Sequence, residues 1–151
     1  MIVLAWRVTK VKRDPWDGTG AMWFGARWSS PGRPVIYASD TFAGALLEIL
    51  VHGLRPRTLP GPHHAIRIEI PDDLIESADE SALTGWEARD SSVALDYGDD
   101  WLRTGRTAAL MVPALPSRPV GQTILINPLH EHTARIERSG PFPVPWDERL
   151  F

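Results

Sequence analysis

Between Gly25 and Glu48 the chain places three side chains whose chemistries complement one another: Arg27, Tyr37 and Glu48. An arginine fork holds a phosphate through two parallel hydrogen bonds. A tyrosine ring stacks on a flat base or ring. A carboxylate hydrogen-bonds ribose hydroxyls and stabilises positive charge developing at a sugar carbon, as in glycosidic cleavage. Together these describe the splitting of an N-glycosidic bond in a dinucleotide. Glu48 is the most telling of the three, because it interrupts an apolar run, Leu46-Leu47-Glu48-Ile49-Leu50. A carboxylate is costly to bury there unless paired. The structural alternative is a glutamate at the edge of a helix stripe, paired with an arginine.

The elements that must position these groups follow from periodicity. Apolar residues at Ala43, Leu46, Leu47, Leu50 and Val51 predict one helix, capped by Ser39 or Asp40 and stopped by Gly53. Strands are predicted at Ile2–Val8, Ala21–Trp28, Pro34–Ala38, Ala65–Ile70, Thr107–Val112 and Thr123–Ile126, with a last one at Ala134–Glu137. A short helix is expected around Asp72–Ala78 and a helical turn or two at Asp99–Arg103. Asp14–Gly20, Ser29–Gly32 and Ala114–Gly121 read as loops. Strands without alternating helical crossovers point to α+β rather than a doubly wound sheet.

The 151 residues suit one domain, taken as 1–151. Apolar residues make up 43% and charged residues 23%, an ordinary globular balance. A net charge of −3 argues against a direct grip on nucleic acid through bulk positive charge. The absence of cysteine excludes disulfides, thiolate metal sites and a cysteine nucleophile. No leader or membrane-spanning run reads in the sequence, so a cytoplasmic protein is expected. No Gly-rich phosphate loop of the Rossmann or P-loop type occurs. The pairs His63-His64 and His130/His132 read as exposed loop histidines rather than metal ligands, and no metal is expected. Asp72-Asp73 and Asp99-Asp100 read as acids at helix starts. Seven tryptophans imply a core or cleft built around their rings.

Several blocks in order resemble the RES family, the toxins of bacterial toxin–antitoxin pairs whose antitoxins are Xre-like. They are AWR (Ala5–Arg7), DGTGA (Asp17–Ala21), GARWSSPGRPVIYAS (Gly25–Ser39), ALLEILVH (Ala45–His52), VPALPS (Val112–Ser117), INPLH (Ile126–His130) and WDERLF (Trp146–Phe151). The resemblance implies a compact domain like the catalytic domain of ADP-ribosyltransferases, with short-stranded split sheets and few helices. It implies NAD+ as the substrate consumed, with Glu48, Arg27 and Tyr37 catalytic and Arg7, Arg27, Tyr37 and Ser117 binding the dinucleotide. It implies a cognate antitoxin as partner. The ADP-ribose acceptor is either water or phosphate, or a protein such as phosphoribosyl-pyrophosphate synthetase. The alternative is an inactive module that keeps the pocket without turnover. The family's serine follows Val-Pro directly. Here Ala114 occupies that position and the nearest serine is Ser117.

Overall fold

A computed structural model of the chain describes residues 1–53, 58–90 and 92–151. Seven strands form one sheet: β1 (Ile2–Lys10), β2 (Ile36–Ser39), β3 (His63–Pro71), β4 (Ile75–Ser77), β5 (Ala109–Pro113), β6 (Gln122–Ile126) and β7 (Glu137–Pro143). Their spatial order is β4-β5-β6-β2-β1-β3-β7. Among the described strands only the β4/β5 pair is parallel. Among the described residues three α-helices complete the fold: α1 (Thr19–Phe24), α2 (Phe42–Val51) and α3 (Ser92–Thr104).

The sheet is nearly two sheets. Every residue of β1 faces a partner on β3, from Ile2 opposite Pro71 to Lys10 opposite His63. Every residue of β2 likewise faces β6, from Ile36 opposite Ile126 to Ser39 opposite Thr123. Between the halves, β1 and β2 share one pair, Trp6 with Ser39. Beyond that pair the strands diverge, and α2 packs across the gap. Val8, Ala45 and Ala65 are buried there beneath Trp6, Phe42 and Leu46.

The β5–β6–β2 half is covered on both faces, as its near-continuous apolar runs require. Leu110, Val112 and Leu125 face α3, where Trp28 and Trp101 are buried with them. Ala109, Ile124, Ile126 and Ile36 face the other way, onto Ile66, Ile68 and Ile70. The alternation along each strand is the period of two set by the pleat. No helix among the described residues is long and apolar enough to cross a membrane.

Most predicted strands stand within two or three residues of their bounds, but four local expectations are overturned. Residues 21–28 are not a strand. They contain the end of α1, which Gly25 terminates at φ +69°, its N–H bonded to the Ala21 carbonyl. The apolar face of α1 stays largely exposed, so its run of apolar residues gave a misleading strand signal. The cap of α2 is Thr41, whose hydroxyl accepts from the Gly44 N–H at 2.9 Å. Ser39 ends β2, and the Asp40 carboxylate accepts from the Gln122 N–H at 3.1 Å instead. Asp72–Leu74 is a single 3-10 turn that leads into β4, because the parallel pairing of Ile75 with Ala109 captures the following residues. Thr133–Arg135 is likewise a 3-10 turn, and the last strand starts at Glu137 and runs through Pro141 to Pro143. Proline is tolerated there because β7 is an edge strand.

Two further differences concern side chains. His63 and His64 open β3 rather than lying in a loop, and His63 is buried with its Nδ1 2.8 Å from the Gly61 carbonyl. Asp99 and Asp100 lie in the middle of α3, not at its start. Beside them, Gly98 presses α3 against the backbone of Trp28, and a Cβ on Gly98 would collide with the Trp28 carbonyl. Gly98→Ala is therefore expected to destabilise the fold by about 1–3 kcal/mol despite its better helix propensity, as overpacking does. Urea denaturation of the two proteins checks this.

Candidate active site

The gap between β1 and β2 opens into a cavity of about 450 Å³. Its walls come from β1, β2, α2 and the loop after α1, and Leu115 and Pro116 close one side. Arg7, Arg27, Tyr37 and Glu48 all line it. Side chains from four separate elements thus converge where the sheet splits. Ser117 is not in the lining. It sits in the β5–β6 loop with its side chain against Gly121, and its carbonyl accepts the Gly121 N–H at 2.9 Å. Ala114 is buried and not in the lining either. The serine and threonine that do line the cavity are Ser39 and Thr123, opposite one another on β2 and β6.

Tyr37 is bonded at both ends. Its hydroxyl lies 2.8 Å from Ser29 Oγ and accepts the Trp28 N–H at 3.2 Å. Its carbonyl accepts from Arg7 Nη1 at 2.6 Å. Burial pushes the phenol up to about 12, so it stays protonated at any physiological pH. The side chain therefore presents its ring to the cavity, while its oxygen pins the loop that carries Arg27.

Arg7 is more committed than the sequence suggests. Besides the Tyr37 carbonyl, its Nη2 reaches the Asp17 carbonyl at 3.5 Å. Its Nε is buried without a partner among the described residues. Burial lowers its pKa to about 10, with Asp17 opposing the shift, so it remains a cation at neutral pH. Among the described residues Arg27 bonds through Nη1, to the carbonyls of Trp86 at 3.1 Å and Ala88 at 3.2 Å. Trp86 in turn stacks on Trp28 with ring centroids 5.6 Å apart.

Glu48 lies on the face of α2 turned to the cavity. Its Oε2 is 3.3 Å from His52 Nε2, one helical turn on. Burial raises its pKa above the usual glutamate range, while His52 and Arg27 pull it back down. The result is a carboxylate in an apolar setting, flanked by two cationic or potentially cationic groups. His52 was legible only as a last-turn residue, although its i,i+4 spacing from Glu48 is the signal that pairs them. Trp86 left no such signal, since its partner Arg27 lies 59 positions away, and the eight-residue spacing of Ser29 from Tyr37 belongs to no helix or strand period.

The RES domain family matches residues 4–147. The chain is 34% identical over 134 residues to the Prs ADP-ribosylating toxin of Sphingobium sp., covering 83% of this chain and 82% of that one. It is 31% identical over 152 residues to the Toxin Res of Pseudomonas putida, covering 99% and 100% respectively. Among solved structures, the crystal structure of the M. tuberculosis MbcT–MbcA toxin–antitoxin complex contains a chain of the same fold, with a TM-score of 0.75 at 18% identity, covering 95% of this chain and 85% of that one. A match that spans the sheet, the cavity and all three helices shows that this chain belongs to the RES domain family.

Proposed function

We propose that this protein is the toxin of a toxin–antitoxin pair, and that it consumes NAD+ by transferring ADP-ribose to a protein acceptor. The observation that carries this reading is the convergence of Glu48, Arg27, Arg7 and the Tyr37 ring on one cavity. The names of the relatives, one of them an ADP-ribosylating toxin, agree with it. The residues fit the dinucleotide on their own terms. The volume is in the range of small-molecule sites, roughly 300–1,000 Å³. Trp6, Trp28 and Ile49 supply apolar wall for a flat ring. Among the described residues Arg27 has donors left unbonded, and Arg7 adds a fixed positive charge with one buried donor unpaired.

In this reading the reaction breaks the bond between nicotinamide and ribose C1′, the bonding pair leaves with nicotinamide, and an acceptor nucleophile bonds to C1′ as its proton passes to solvent. The protein's part is electrostatic and positional. Arg27, with the charge of Arg7 behind it, holds the pyrophosphate. The Tyr37 ring and the tryptophans orient the nicotinamide half. Glu48 accepts hydrogen bonds from the ribose and stabilises the positive charge that grows there as the bond lengthens. The wall at Leu115–Pro116 contributes no hydroxyl, and Ser117 faces Gly121, so the serine expected after Val-Pro is not part of the machinery in this reading. An Xre-like antitoxin is the proposed inhibitor.

The test is purified chain freed of partner, incubated with NAD+ labelled in the adenylate, with and without lysate. Label on a protein band only in lysate, phosphoribosyl-pyrophosphate synthetase being the first to look for, supports transfer. Free ADP-ribose in buffer alone replaces transfer with hydrolysis. No turnover in either leaves an inactive pocket module.

Glu48→Gln is expected to lower turnover by at least about 10²-fold, the scale of a lost charge-stabilising group. Its effect on stability has the opposite sign. A carboxyl whose folded pKa is raised adds stability below its unfolded pKa and loses it as pH rises through the folded one. At pH 7 the ionised Glu48 is thus a cost, and Glu48→Gln should melt at the same temperature or higher. The acid limb of the kcat/KM profile should lie above the usual glutamate value of about 4.3. His52→Ala should move that limb further up, because the attraction of His52 for the carboxylate is lost. Arg27→Lys should raise the KM for NAD+ about tenfold, since an ammonium cannot reproduce the fork. Tyr37→Phe should cost about 1–3 kcal/mol in denaturant titrations, because it orphans the buried Trp28 N–H.

A further inference from the structure

Arg27 reaches the cavity from a loop, and a loop by itself holds a guanidinium poorly for work that depends on sub-ångström placement. This loop is held from behind by α3. Asp99 Oδ1 accepts the Ser30 N–H at 2.8 Å, and Asp99 Oδ2 accepts the Ser30 hydroxyl at 2.6 Å. Both carboxylate oxygens are thus spent on one residue, three positions after Arg27. The adjacent Asp100 behaves differently. It points to the surface and pairs with Arg103 and Arg106. Asp99 shares an open groove with Arg33 and Arg103, yet its hydrogen bonds go to Ser30. Hydrogen bonds to an ionised acceptor are the stronger kind.

The neighbouring contacts act in the same place. Gly98 admits the Trp28 carbonyl against α3, and Trp28 stacks on Trp86, whose carbonyl takes Arg27 Nη1. The Tyr37 hydroxyl pins Trp28 and Ser29 from the opposite side. The turn from Arg27 to Ser30 is therefore gripped between β2 and α3, and Asp99 is the α3 half of the grip.

We propose that Asp99 is a positioning residue for Arg27: by clamping Ser30 at two atoms it fixes the loop so that the guanidinium faces the cavity. The inference rests on the assignment of Arg27 to NAD+ above. It requires that Asp99 act through Arg27, which a merely structural role would not.

NAD+ affinity is measured by calorimetry in the Glu48→Gln protein, whose turnover is expected to be at least about 10²-fold slower. Asp99→Ala is expected to weaken binding about tenfold, a loss near 1.4 kcal/mol. Asp99→Asn, which keeps one acceptor and can donate to the Ser30 hydroxyl, should stay within about threefold. In an Arg27→Ala background, Asp99→Ala should weaken binding no further. Unchanged affinity in Asp99→Ala where Arg27→Ala weakens it, or losses that multiply in the double variant, would overturn the proposal. Hydrogen exchange supplies a readout without ligand. The Ser30 and Trp28 amides should exchange faster in Asp99→Ala, and more modestly in Ser30→Ala, at global stability close to that of the parent. Ser30→Ala also serves if Asp99→Ala fails to fold. If Glu48→Gln and the unaltered protein both fail to bind NAD+, the proposed function falls, and the exchange rates still decide the clamp. Unchanged exchange would sink it.

Discussion

The hydrogen bonds at the two ends of Tyr37 are the constraint on which the site depends. Its carbonyl takes Arg7 Nη1 from β1, and its hydroxyl takes Trp28 N–H and meets Ser29 from the loop after α1. These contacts lie where β1 and β2 share a single ladder pair, so the backbone does little to hold the two halves of the sheet together there. Side-chain hydrogen bonds take the place of the missing ladder. A gap in a sheet would otherwise leave buried backbone groups unpaired. Here the gap is kept open as a cavity, and the residue that braces it is part of the lining.

The same opening explains the electrostatics. Splitting the sheet creates a pocket with apolar walls, and a low-dielectric wall raises the cost of every charge placed against it. Glu48 and Arg7 both shift toward their neutral forms for that reason, each tempered by an opposite charge nearby. Neither would be chosen for stability alone. Perturbed groups of opposite sign in one cleft are the pattern expected of a site built for chemistry. The hydroxyl of Tyr37 differs in kind: it is buried and fully bonded, so its task is to hold the loop, and its ring is what remains for a ligand.

Much of this was legible from local pattern. The α2 helix and five of the seven strands follow from period, Glu48 stands out by the cost of a carboxylate among leucines, and Arg27 and Tyr37, singled out for their chemistry, line the same cavity. Other features were not. The apolar run through Trp23 read as strand, because a short exposed helix carries no amphipathic stripe to betray it. The last strand reads as Ala134–Glu137 and forms at Glu137–Pro143 instead, because only its place at the sheet edge makes its prolines acceptable. Ser117 was assigned to the site by its nearness in sequence to the Val-Pro step, and the turn of the β5–β6 loop carries it onto Gly121 instead.

The sequence alone determined which groups were available: an arginine at the end of an apolar run, a tyrosine on a short strand, a glutamate in an apolar helix, and no thiol. It also determined the elements that carry Tyr37 and Glu48, because helix and strand periods are local properties, but not the loop that carries Arg27. Only the tertiary structure decided which of these groups meet. The partners of Arg7 and Arg27 lie 10, 30 or about 60 positions away along the chain. Contacts of that span depend on strand order and on how far two strands part, and neither is written in any window of residues. Asp99 shows the limit most plainly. In sequence it is one of two adjacent acids, and only the packing of α3 against the loop, admitted by the bare backbone of Gly98, separates a clamp from a surface charge.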